Sequence, residues 1–233
     1  MKFDIITIFP EIFKSYFSES IIKRAQKKEL IKIKIHNLRD YTNDKHKTVD
    51  DKPYGGGPGM IFKIEPIYKA ICSILKNFKF QISNFKSNSK SKFSKSKIRI
   101  ILFSPKGKKF DQKMAKGFSR LDRLIMICGR YEGVDGRVAK YIADEEISVG
   151  DYVLTGGEIP AMIVVDAVSR FIPDVLGKHE SLEEIKGSYP VYTRPPKFSP
   201  KRKFRRARPE AWQVPKVLLS GNHKKIEEWR KKH

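Results

Sequence analysis

Residues 128–170 read CGRYEGVDGRVAKYIADEEISVGDYVLTGGEIPAMIVVDAVSR, with glycines at 129, 133, 136, 150, 156 and 157 interrupting a strand-and-helix pattern. Glycine lets backbone turn tightly and approach a ligand with no Cβ in the way. Arg130, Glu132, Asp135, Arg137, Asp151 and Glu158 stand among those glycines, more charge than a buried turn is expected to hold. The apolar run 159–165 then reads as a packed helix. Such a stretch suits a ligand cradle built on rigid core.

The other residues able to do chemistry are more scattered. Residues 37–60 form a long polar stretch, NLRDYTNDKHKTVDDKPYGGGPGM, of the kind that is either functional or unstructured. Its His46 is alone and reads as a polar contact. GGGPG has no Gly-Lys-Ser/Thr after it, so it is not the phosphate loop of nucleotide hydrolases. Its glycines suit close approach of an RNA backbone or a partner subunit. No GxGxxG follows the first apolar run, which argues against a dinucleotide fold. Cys72 and Cys128 are the only cysteines and lack ligand spacing, so neither a disulfide framework nor a zinc site is expected.

Elements must hold the cradle. Residues 2–9 are rich in Ile and Phe and stop at Pro10, a buried strand with a helix starting near the proline. Ile21, Ile22, Ala25 and Leu30 continue a helical face, and Ile31, Ile33 and Ile35 alternate with lysines as a strand with one wet face. A helix is expected over 64–75. Strands follow over 98–103, closed by the turn Ser104-Pro105-Lys106-Gly107, and over 124–127 and 145–149, with a short helix over 111–118. Strands alternating with helices predict an α/β fold with a mostly parallel sheet, whose ligands sit beyond the strands' C-terminal ends. Three loops, at Ser104, at Gly129 and over 148–154, should therefore converge on one rim.

The 233 residues carry 49 Lys and Arg against 26 acids, a formal net charge of +23, with aromatics among the basic residues. An acidic polymer, nucleic acid, is the expected partner. Residues 76–97 hold lysines but no acid and read as a solvated basic insertion. After Ile172 a proline-rich linker or lid leads to a basic cluster over 201–208 and a short helix capped by Ser220 or Asn222, with Ile226 and Trp229 on one face. No run is long enough for a membrane span, and the opening apolar stretch is too broken for a signal peptide. A soluble cytoplasmic protein is expected.

Several ungapped motifs, FDIITIFPEIF, HKTVDDKPYGGGPGM, FSPKGKKFDQ, LIMICGRYEGVDGRV, EISVGDYVLTGGEIPAMIVVDAVSRFIPDVLG, YPVYTRPP and VPKVLLSGNHKKIEEWR, together resemble the bacterial tRNA (guanine-N1)-methyltransferases. The resemblance spans nearly the whole chain apart from the insertion and the basic cluster. It implies a SPOUT fold, an α/β sheet whose later loops are threaded into a deep trefoil knot around S-adenosylmethionine, with a small helical C-terminal domain. It also implies a homodimer whose sites draw on both subunits, assistance by Mg²⁺, and methyl transfer to the guanine 3′ of the tRNA anticodon. The domains expected are 1–172 for catalysis, 173–198 as lid or linker and 199–233 for tRNA.

By the same resemblance, the cofactor loops comprise Leu102, Phe103, Ser104, Pro105, Gly129, Glu132, Ser148, Val149, Gly150, Asp151, Tyr152, Val153, Leu154, Gly156, Gly157 and Pro160. Arg170 matches the family's catalytic arginine. Guanine N1 carries a proton, so its attack needs a general base and a cation or donor at O6. The family's lid supplies an aspartate; the lid here, HESLEEIKGSYP, has none, and Glu183 or Glu184 stands in. The family also commonly continues further beyond the WR motif. The altered lid and short tail motivate an alternative, a catalytically silent RNA-binding protein of the same fold.

Overall fold

KFDIIT has few polar atoms to show to water on either face, and as β1 (Lys2–Thr7) it is buried along nearly its whole length. The computed structural model describes residues 1–85, 97–176, 189–199 and 212–232. A 3-10 turn begins at Pro10 and leads into α1 (Lys14–Phe17) and α2 (Ser20–Lys27). β2 (Lys32–Asn37) follows, then a polar excursion that contains the two-residue strands β3 (Asp50–Asp51) and β4 (Ile61–Phe62). Next come α3 (Ile64–Phe85), β5 (Ile98–Lys109), α4 (Gln112–Phe118), β6 (Arg123–Ile127), α5 (Gly136–Tyr141), β7 (Glu145–Ser148) and α6 (Glu158–Ser169).

Five strands form one sheet in the order β2-β1-β6-β5-β7, and every neighbouring pair is parallel. This is the α/β architecture expected of the pattern. A parallel sheet needs cover on both faces. Phe3, Ile5, Leu124 and Met126 face α6, whose Ala161, Val164, Val165 and Val168 are fully buried. Ile6, Ile125 and Ile127 point the other way, toward Ile67, Ala70, Ile71 and Ile74 of α3 and Val138 of α5. The site-bearing loops thus leave a sheet clamped on both sides.

Three expectations are corrected. The helix expected over 64–75 runs on to Phe85, so the first part of the presumed solvated insertion is helical. Three core-facing turns already nucleate that helix, and no proline or glycine follows at once to stop it, so extension is cheap. Residues 86–96 lie outside the described residues. Second, Ser104-Pro105-Lys106-Gly107 does not end β5: Phe103 and Lys108 both register with Ile147, and four residues loop out between them. A Cβ on Gly107 would lie 2.4 Å from the Ile147 amide nitrogen, so the return to the sheet needs glycine. Third, the charges of the cradle do not all face outward, since Glu158 is 1% exposed.

The described chain divides into two compact units, Met1–Gly177 and Lys178–His233. In the second, Lys197 bridges Gln213, and the rings of Phe198 and Trp212 lie 5.7 Å apart. Its helices are α7 (Lys216–Leu219) and α8 (His223–Lys232). Asn222 caps α8, its Oδ1 accepting from the Lys225 amide at 3.1 Å. Trp229 meets Tyr192 edge-on, and Arg230 lies over the Tyr189 ring.

Candidate functional site

The loops that follow β5, β6 and β7 meet, as the topology requires, beyond the strands' C-terminal ends. They enclose an open cleft of about 600 Å³, within the range of small-molecule cofactor sites. Its first wall is the loop-out of β5, where Ser104, Pro105 and Lys106 stand clear of the sheet.

The second wall, residues 129–134, leaves buried Cys128. Tyr131 takes a left-handed backbone (φ 58°), as does Gly133 (φ 112°). The turn is stitched down by two long-range bonds: the Glu132 amide donates to the Met60 carbonyl at 3.1 Å, and the Phe62 amide donates to that of Gly133 at 3.0 Å. Tyr131 also meets the Phe62 ring edge-on. The glycine-rich stretch 55–59 therefore ends against the cleft, and a Cβ on Gly59 would collide with the Glu132 side chain.

The third wall runs from Ser148 into α6. The Ser148 hydroxyl donates to the Gly150 carbonyl at 2.9 Å, and Lys109 forms an ion pair with Asp151. Gly157 then passes so close to Cys128 that an added Cβ would lie 2.6 Å from its Cα. The Gly157 amide donates to the Gly129 carbonyl at 3.0 Å, joining the second and third walls.

Of the proposed cofactor residues, all but Gly150 and Asp151 line this one cleft. Its floor and sides combine apolar cover from Leu102, Phe103, Val134, Leu154 and Pro160 with backbone polar groups at the glycines. Arg130, one of the charges set among the cradle glycines, lines it as well, as do Tyr131 and Thr155, which nothing in their local sequence had singled out. Arg130 donates from Nε to Glu158 Oε2 at 2.9 Å and from Nη1 to Thr155 Oγ1 at 3.3 Å. Glu158 stood among the cradle charges in the sequence, but its pairing with Arg130 was not legible there. Burial, then the Glu158 carboxylate, push the Cys128 thiol well above its ordinary range.

Arg170 is not in this cleft. It follows α6 as its C-cap, half-buried, at the end opposite Gly157 and Pro160. Twelve residues separate the ends, about 18 Å at 1.5 Å per residue. Glu183, Glu184 and the basic cluster over 201–208 lie outside the described residues. His46 is exposed. Among the described residues, no three His, Cys, Asp or Glu side chains gather as a metal site.

A family model described as tRNA (guanine-1)-methyltransferase TrmD matches residues 1–233. Among curated proteins, the tRNA (guanine-N(1)-)-methyltransferase of Dictyoglomus turgidum is 50% identical over all of this chain and 84% of its own length. That of Clostridioides difficile is 48% identical over 99% of this chain and 91% of its own. The crystal structure of tRNA (m1G37) methyltransferase from Aquifex aeolicus superposes with a TM-score of 0.75 at 39% identity, covering 100% of this chain and 88% of that one. The match over the whole length shows that the chain belongs to the tRNA (guanine-1)-methyltransferase TrmD family.

Proposed function

We propose that this protein transfers a methyl group from S-adenosylmethionine to N1 of guanine 37 in tRNA. The observation that carries the reading is that three separate loops form one cleft, lined by most of the residues that the family resemblance implies for the cofactor. Bound there, S-adenosylmethionine would supply a methyl group made electrophilic by its sulfonium. Backbone groups at Gly129, Gly156 and Gly157 suit the edges of its adenine, the apolar lining suits its faces, and Glu132 suits its polar or cationic parts. The SPOUT reading adds that these loops are threaded as a trefoil knot.

Two tasks remain for side chains. A cation must stabilise the negative charge that develops at O6, and a base must take the N1 proton. We assign the first to Arg170 and the second to Glu183 or Glu184. Because Arg170 is a helix length from the cleft of its own chain, a second copy is the natural source of it. The outer faces of the first turns fit such a copy: Phe9, Ile12 and Tyr16 are exposed, as are Ile159 and Ile163 on α6. An apolar face of this kind is expected at a subunit contact. Assistance by Mg²⁺ belongs to this reading, since that ion is commonly held by one or two carboxylates together with substrate phosphates.

The net charge of +23 suits tRNA phosphates. We assign residues 1–172 to catalysis, 173–198 to the lid and 199–233 to tRNA binding. Among the described residues no helix is long and apolar enough to cross a membrane, and a cytoplasmic location alongside tRNA follows from the proposed reaction. The silent RNA-binding alternative finds no support among relatives that carry the enzyme's name.

The test is transfer of label from S-adenosylmethionine to a tRNA transcript with guanine at position 37, beside a transcript lacking it. Label in the first alone is expected. Arg170→Ala should bind cofactor and tRNA yet lose transfer by roughly 10²–10³-fold, the cost of removing one charge-stabilising donor. Full transfer by that variant would remove Arg170 from the mechanism.

A further inference from the structure

We infer that Arg130 and Glu158, braced by Thr7, are positioning residues that hold two walls of the cleft at the spacing the cofactor needs; this rests on the cofactor reading proposed above. Glu158 is fully buried at the first turn of α6, and each of its oxygens is engaged. Oε2 accepts from Arg130 Nε at 2.9 Å, and Oε1 accepts from the Thr7 hydroxyl at 2.8 Å. Thr7 Oγ1 in turn accepts from the Phe9 amide at 2.9 Å. Arg130 reaches on to Thr155, and its guanidinium lies 4.8 Å from the centre of the Phe9 ring. One cluster therefore ties the ends of β1 and β6 to the start of α6.

Its place gives it a task. The second wall contains Gly129 and Gly133, and the third contains Gly150, Gly156 and Gly157; both are intrinsically soft. Between them the backbone makes only an isolated bridge, Arg130 to Gly156, and the Gly157–Gly129 bond. Side chains complete the closure: a Cβ on Gly156 would sit 2.4 Å from Arg130 Nε and 2.6 Å from Glu158 Oε2, so the pair occupies all the space there. Stability is a poor reason to keep such a pair, since desolvation offsets much of the attraction and apolar replacements are often neutral or better. A single fixed spacing is a better one. A cleft held in its binding shape spares the ligand the cost of ordering it.

The test is calorimetric binding of S-adenosylhomocysteine to the full-length chain and to Arg130→Ala, Arg130→Lys and Glu158→Gln, with melting temperatures recorded alongside. Positioning predicts a dissociation constant raised about tenfold or more in Arg130→Ala. Arg130→Lys, which keeps the charge but cannot engage Glu158 and Thr155 together, should recover part of the loss. In turnover, KM for S-adenosylmethionine should rise while KM for tRNA and kcat at saturating cofactor change little. Unchanged cofactor affinity in any folded variant of Arg130, with the parent binding normally, would overturn the positioning role alone. If Arg130→Ala does not fold, Arg130→Lys and Glu158→Gln decide the matter by the same criterion. A parent chain that binds no S-adenosylhomocysteine would instead sink the cofactor reading, and the positioning role with it.

Discussion

Strand β1 carries a buried carboxylate–arginine cluster on each of its faces, and the two differ in what they touch. Toward α6, Thr7 at the strand's C-terminal end donates to Glu158, which pairs in turn with Arg130. Toward α3, Asp4 lies 2.7 Å from His36 Nε2 through Oδ1 and 3.4 Å from Arg123 Nε through Oδ2. Arg123 Nη1 donates to the Ile74 carbonyl at 3.0 Å, and His36 Nδ1 is 3.0 Å from the Tyr41 hydroxyl. The chemistry is similar, yet only the first cluster includes a residue that lines the cleft. Mid-sheet, such a group specifies strand order and helix placement. At the C-terminal rim of a parallel sheet, where loops diverge, the same group shapes a site.

The sharpest way to break that distinction is Asp4→Ala. It would leave Arg123 and His36 buried beside an absent partner, at a cost of about 3–5 kcal/mol. A large fall in melting temperature is expected, with unchanged affinity for S-adenosylhomocysteine in the protein that remains folded. Weaker cofactor binding without lost stability would mean that the two faces are not separate. Gly157→Ala should act at the rim by packing alone: its Cβ meets the Cys128 backbone, an overpacking cost of roughly 1–3 kcal/mol. Gly117→Ala is its control. A Cβ there meets nothing within 4 Å inside α4, so stability should rise by about 0.5–1 kcal/mol, read from paired denaturant curves.

Asp135 sharpens the comparison on a smaller scale, because it caps α5 beside the cleft. Its Oδ1 accepts from the Arg137 amide and from Arg137 Nε, both at 2.9 Å, while Oδ2 accepts from Nη2 at 2.7 Å. Hydrogen bonding from the Arg137 side chain holds its pKa below the ordinary value. A lowered carboxylate pKa contributes stability that is fully present above the unfolded pKa and lost as pH falls through the folded one. Asp135→Ala should therefore cost about 1 kcal/mol near neutrality, with the difference from the parent shrinking below about pH 4. Melting curves across pH 3 to 7 measure it, and a pH-independent difference would argue against this cap. The least disruptive probe is thiol labelling. Exposed Cys72 should react rapidly in the native chain, whereas buried Cys128, its thiol pKa pushed up, should react only on unfolding.

Much of the fold was legible because its signals are local. The apolar density of KFDIIT and RLIMI marked central strands, and the alternation of Ile31, Ile33 and Ile35 marked a half-wet one, which lies at the sheet edge as β2. The short helix expected over 111–118 is α4, and Asp111 caps it, its Oδ1 accepting from the Met114 amide at 2.7 Å. The misreadings have physical causes. Ser-Pro-Lys-Gly has turn chemistry whether a strand ends there or bulges, and only pairing with β7 brings β5 back to the sheet. Lysine-rich composition after Leu75 resembled a solvated loop, yet a helix already nucleated on the core extends into it as far as Phe85. Ile159 and Ile163 belonged to an apolar run read as packed, but a helix laid on one sheet face leaves part of its circumference outside.

By itself the sequence determined the strand and helix types, the caps, the positions of glycines able to approach a ligand, and the family motifs, because each depends on residues close along the chain. Tertiary structure alone decided which side chains meet. Thr7, Arg130 and Glu158 are far apart in sequence, and their pairing exists only once β1 and β6 lie side by side beneath α6. It likewise decided that Arg170 and Gly157, on one helix, face different surroundings. A helix fixes the distance between its ends, while only its packing determines what each end can reach.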